Sequence, residues 1–135
     1  MSNPVILLVE QDGERRQRLF TRLLSQGYEV IESCSPLEAL RIIRQRRRID
    51  LFIVSPSLES PGDGVELAQL VLHHGASPHV ILLAGQDGED WTVAARAAGV
   101  TTYVGKRVSC DDILAIVYHF FRPLVRDRRH AVTLN

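Results

Sequence analysis

Five times along this chain a short apolar run gives way to a longer segment whose apolar residues recur at helical spacing. The runs are Val5 to Val9, Tyr28 to Ile31, Leu51 to Val54, Val80 to Leu83 and Thr102 to Val104. A chain that alternates in this way builds β-α units, which in series form a parallel sheet covered by helices on both faces. The central runs are almost wholly apolar, as strands buried on both faces must be. With 135 residues and 45% hydrophobic content, the chain can bury one sizeable core but not two full domains. The reading is a single α/β domain over residues 1–122, with residues 123–135 a tail or the start of a linker.

Helix starts follow from capping chemistry, because a side-chain oxygen must satisfy the orphan amides of a first turn. Ser35-Pro36-Leu37-Glu38 combines a cap, a proline at the first helical position and a returning glutamate. Asp63 to Glu66 and Ser109 to Asp112 repeat the cap-and-acid spacing, placing the third and fifth helices. Gly27 and Gly99 follow apolar-periodic segments where left-handed C-caps are expected, ending the first and fourth helices. In the first helix Leu19, Phe20, Leu23 and Leu24 share one face, with arginines opposite.

Charge names no partner: lysine plus arginine equal aspartate plus glutamate at 16 each, so no net field draws the chain to nucleic acid or an anionic membrane. The run Arg46-Arg47-Arg48 ends the second helix, where positive charge suits the helix dipole. The apolar runs are strand-sized, and the N-terminus lacks a basic region followed by an apolar core, so a cytoplasmic protein away from the membrane is expected. Cys34 and Cys110 are read as free thiols with no metal or redox role.

In open α/β sheets, ligands gather beyond the carboxyl ends of the strands, near the point where strand order reverses. The residues at those ends are Glu10-Gln11-Asp12, Ser55, Ala84-Gly85 and Lys106. Around them stand Leu7-Leu8-Val9, Asp50-Leu51 opening the third strand, Asp63-Gly64 opening the third helix, and Ala98-Gly99 before Tyr103. Over residues 4 to about 121 this pattern resembles the receiver domain of bacterial response regulators, the phosphorelay modules of two-component signalling. The resemblance implies a flavodoxin-like, doubly wound, five-stranded parallel sheet in the order 2-1-3-4-5, layered between five helices.

Receiver domains carry two acids, a phosphoacceptor aspartate, a threonine or serine, and a Lys-Pro pair at these strand ends. Here the acid pair is Glu10-Gln11, the acceptor position is Ser55 and the hydroxyl position is Ala84; only Tyr103 and Lys106 match. Arg107 replaces the proline, and the loop from Ser55 to Gly64 is one residue longer than the family's. The resemblance thus implies a degenerate phosphorylation site at Glu10, Gln11, Asp12, Ser55, Ala84, Tyr103 and Lys106. Phosphoryl transfer to a carboxylate needs the carboxylate, a Mg2+ held by oxygens and a lysine, and Mg2+ gives up water reluctantly. With Gln11 a neutral amide and Ser55 a hydroxyl, no Mg2+ or other cofactor is expected. A serine nucleophile would need an adjacent base, and the only histidine near a strand, His79, stands at the wrong end of the fourth, so Ser55 is read as closing its strand. Lys106, the sole lysine, is expected to pair with Glu10 or to bond Ser55. Tyr103 and Trp91 are read as packing aromatics.

The function expected is that of a pseudo-receiver: not an enzyme, but a phosphorylation-independent module acting through a protein partner in a signalling system. The alternative is a receiver that accepts a phosphoryl group at an unorthodox acid, Asp12 or Glu10. A nucleotide-binding domain would need a glycine-rich phosphate cradle after the first strand, and Gln11-Asp12-Gly13-Glu14 has one glycine among acids. In the fifth helix, Ile113, Ile116, Val117 and Phe120 form a stripe sufficient to pack on the sheet. Leu114, Tyr118 and Phe121 form a second stripe, expected to serve an interface. The resemblance points to a homodimer through the surface of the fourth helix, fifth strand and fifth helix; otherwise Pro123, Leu124 and Val125 fold back over the stripe.

Overall fold

A computed structural model describes residues 3–46, 48–75, 79–84, 89–105 and 107–122. Its elements in chain order are β1 (Val5–Val9), α1 (Gly13–Ser25), β2 (Glu29–Ser33), α2 (Pro36–Gln45), β3 (Leu51–Val54), α3 (Asp63–His73), β4 (Val80–Leu83), α4 (Thr92–Ala97), β5 (Thr102–Val104) and α5 (Cys110–Phe121). The five strands form one parallel sheet in the order β2-β1-β3-β4-β5.

Strand alternation sorts the core into two halves. Leu7, Val9, Phe52, Val54 and Leu82 face α2, α3 and α4, meeting Ala39, Ala68, Val71 and Ala95. Ile6, Leu8, Ile53, Ile81 and Leu83 face α1 and α5, meeting Leu19, Leu23, Ile113 and Val117. Every residue of β1, β3 and β4 is buried, whereas the edge strands β2 and β5 are partly exposed. Asp50 ties the sheet at the end opposite its carboxyl rim: its carboxylate accepts from the Val5 amide at 2.7 Å, and its own amide donates to the Val5 carbonyl at 2.8 Å.

The caps form as their chemistry dictates. Ser35 accepts from the Glu38 amide, Ser109 and Asp112 close a reciprocal capping box, and Gly27 and Gly99 both adopt φ of 93°. Two elements start elsewhere than the sequence predicts. β2 begins at Glu29 and runs to Ser33, two residues beyond the apolar run, because its ladder pairs Val5 with Glu29 and Val9 with Ser33. Tyr28 is left before the strand, its ring 5.4 Å from that of Phe121. At α3 the N-cap is Gly62, in the left-handed region at φ 82°, and Asp63 is the first helical residue. The Asp63 carboxylate turns back instead, accepting from the amides of Leu58, Glu59 and Ser60 at 2.6–3.0 Å. The amides of Gly64 and Val65 donate to the Pro56 carbonyl, so the loop itself supplies the cap.

The second stripe of α5 is partly covered. Leu114 and Phe121 are half-buried against the core half that contains Phe20 and Tyr28, and only Tyr118 is exposed. The reason is that α5 also packs beside α1, joined by the Arg22–Asp111 ion pair, so it needs a wider apolar arc than contact with the sheet alone requires. Residues 123–125, expected as an alternative cover, lie outside the described residues.

Candidate functional site

The carboxyl ends of β1, β3 and β4 meet at one rim, and the side chains there close on one another. Glu10, directly after β1, is 4% exposed and Ser55, directly after β3, is 1% exposed. Parallel pairing of Val9 with Val54 sets these two residues side by side, and the Ser55 hydroxyl donates to Glu10 Oε1 at 2.6 Å. The other carboxylate oxygen accepts from the Asp12 amide at 3.2 Å.

The remaining partner is a residue that the strand ends alone do not suggest. Arg15 Nη1 lies 3.3 Å from Glu10 Oε1 and donates to the Ala84 carbonyl at 2.7 Å. One guanidinium thus joins the ends of β1 and β4, with Ser55 at the end of β3 bound to the same carboxylate. Its reach follows from local structure. Asp12 caps α1, accepting from the amides of Glu14 and Arg15. The helix therefore starts directly above β1, and because helical side chains lean toward the N-terminus, its third residue is thrown back over the rim. Arg16, one position on, donates to the carbonyl of Glu10 at 2.7 Å and pairs with Glu32 at 3.1 Å.

The other predicted positions divide. Ala84 is buried and contributes only its backbone, its amide donating to Val104. Gln11 is exposed, its carbonyl taking a 3.4 Å bond from Arg16. Tyr103 packs on the α2–α3–α4 half of the core, and its hydroxyl accepts from the Trp91 amide at 3.2 Å. Trp91 rests beside Gly62, whose Cβ, if present, would lie 3.2 Å from the indole ring; among the described residues its buried Nε1 has no partner. Lys106, with its expected bond to Glu10 or Ser55, lies outside the described residues. Next to Glu10 and Arg15, the loop from Ser57 to Pro61 lines an open hollow of about 420 Å³.

These donors do not suit the Mg2+ that this fold implies. Of the carboxylates at the strand ends, Glu10 accepts from a hydroxyl and an amide and pairs with a guanidinium, and Asp12 accepts from the first turn of α1 through Oδ1. A hard cation needs several free oxygens in octahedral array, and a fixed guanidinium beside the carboxylate repels it. Among the described residues no group of three His, Cys, Asp or Glu side chains is placed to hold a metal ion.

The response regulator receiver domain family matches residues 6–118, and the chain belongs to that family. Among characterised proteins it is similar to the transcriptional regulatory protein AfsQ1 of Streptomyces coelicolor, 32% identical over 106 residues, covering 78% of this chain and 45% of that protein. It is also 34% identical over 107 residues to the transcriptional regulatory protein GlrR of Escherichia coli, covering 78% of this chain and 23% of that one. The chain thus spans less than half the length of these relatives. Its fold matches the receiver domain of the Francisella response regulator 1452, with a TM-score of 0.76 at 20% identity over 89% of this chain and 98% of that one. It also matches a CheY-like receiver domain protein from Methanospirillum hungatei, with a TM-score of 0.76 at 24% identity over 87% and 93%. The chain is therefore a receiver domain of two-component signalling, a class that works with protein partners, and among the described residues no helix is long and apolar enough to cross a membrane.

Proposed function

We propose that this receiver domain acts as a pseudo-receiver, a non-enzymatic module that signals through protein contacts without passing through a phosphorylated state. The observation that carries the reading is the closed network at the rim: Ser55 hydroxyl to Glu10 at 2.6 Å, and Arg15 bridging Glu10 and the Ala84 carbonyl. Ser55, at the acceptor position, offers a hydroxyl already donating to a carboxylate. That carboxylate is not free to act as an acceptor either, and Asp12 is held as a helix cap. A cation built into the chain satisfies the acid that would otherwise attract metal.

Beryllofluoride with Mg2+ mimics a phosphoryl group bound to a carboxylate, and its titration into 15N-labelled protein tests the reading. The expected result is no saturable change at Glu10, Gln11, Asp12 or Ser55. A saturable change that vanishes on chelation of Mg2+ would favour a phosphoaccepting receiver, and the residues that move would identify Asp12 or Glu10 as the acceptor.

A further inference from the structure

The α2–α3 face carries apolar surface that nothing in the described chain covers. Leu37, on the first turn of α2, is 67% exposed, and Leu70, on α3, is 42% exposed. A hollow of about 320 Å³ lies between the helices, lined by Leu40, Ile43 and Arg44 from α2 and by Leu70, Val71 and His74 from α3. It adjoins another of about 350 Å³ along α2, lined by Leu37, Leu40, Arg41, Arg44 and Gln45. The two hollows share Leu40 and Arg44, so they lie side by side along α2 on one grooved face. Single exposed leucines are ordinary, but two on neighbouring helices around a lined groove form a patch.

The rim of the groove is basic. Leu37, Leu40, Arg41 and Arg44 follow the i, i+3, i+4, i+7 spacing, so both arginines stand on the helix face that bears the apolar residues. Among the described residues neither Arg41 nor Arg44 makes an ion pair, a condition they share with Arg18, Arg96, Arg107 and Arg122; what sets them apart is their place beside the two hollows. An occupant must therefore offer apolar side chains to the groove and carboxylates to its edge. A second copy of this chain, docked through the same face, would gather Arg41 and Arg44 of both copies into one interface, which like-charge repulsion disfavours.

We infer that the α2–α3 groove docks an acidic amphipathic helix of a partner protein, with leucine-type anchors at helical spacing and carboxylates beside them. This inference rests on the reading that the chain works through protein contacts. Its site lies on the α2–α3–α4 face of the sheet and shares no lining residue with the hollow beside Glu10, Ser55 and Arg15.

A labelled helical peptide of about 18 residues, with leucines at i, i+4 and i+7 flanked by glutamates, is titrated into the 15N-labelled full chain. Versions with lysine for glutamate and serine for leucine serve as controls. The glutamate peptide is expected to bind with shifts confined to α2 and α3, and to bind more tightly as salt falls. Binding is expected to weaken about tenfold or more in Leu37→Ser and in the Arg41→Glu/Arg44→Glu double variant. Both are changes at exposed positions, and circular dichroism verifies their folding. The inference is overturned by absent binding, by equal binding of the lysine peptide, by shifts centred elsewhere, or by sedimentation showing a dimer that Leu37→Ser dissolves. None of these outcomes alters the response to beryllofluoride, so the two readings fail separately.

Discussion

A carboxyl group as deeply buried as Glu10 is tolerated only where donors surround it, and Arg15 is the donor that brings a charge. Arg15→Met keeps the apolar stem and removes the guanidinium. Because the Ser55 hydroxyl and Asp12 amide remain, the expected cost is about 2 kcal/mol in chemical denaturation, between an exposed and a fully buried pair. In a Glu10→Gln background the same change is expected to cost less by at least about 0.5 kcal/mol; equal losses in the two backgrounds would show that Arg15 does not act through Glu10. Gly64 sets a second constraint at this scale. A Cβ there would lie 1.7 Å from the Ser55 carbonyl oxygen, in the backbone that seats the rim. Gly64→Ala is expected to cost about 4 kcal/mol or more, or to prevent folding, and a loss below about 1 kcal/mol would contradict so close an approach.

Between elements, Tyr28 at the entry to β2 meets α5 through the ring of Phe121. Burial pushes the Tyr28 phenol above its ordinary value of 10.0, and nearby Tyr118 adds to the shift. With the folded-state value raised, the unfolded chain loses this proton first. The stability contributed is therefore complete below pH 10 and falls as pH rises through the folded-state value. Ultraviolet titration is expected to show one tyrosine ionising late, a lag absent in Tyr28→Phe; unchanged curves would place Tyr28 in solvent. This juncture also marks where local sequence signals stop. The caps at Ser35 and Ser109 were legible because a cap and its amide lie within four residues. The start of β2 was not, because its register is fixed by β1 and its outer residues Glu29 and Glu32 carry no apolar pattern. Asp63 has the spacing of a cap, yet the preceding loop offers three amides within its reach, and the longer loop is what it holds.

At the scale of the whole molecule, the alternation of apolar runs and helical segments was enough to specify layers, and the resemblance specified strand order. The site was legible only in part. Sequence brought Glu10 and Ser55 to adjacent strand ends, where they bond. Arg15 was missed because its role exists only when three strand ends and the first turn of α1 are assembled in space; its one sequence signal is its position three residues after the cap Asp12. In the proposed reading, the side chains of Glu10, Ser55 and Arg15 close the receiver fold at the positions where a phosphorylation site would lie. The direct test is intact-mass analysis of the full chain after incubation with acetyl phosphate and Mg2+. The protein is expected to keep its unmodified mass, while an adduct approaching one phosphoryl group per chain, absent when Mg2+ is chelated, would contradict the claim.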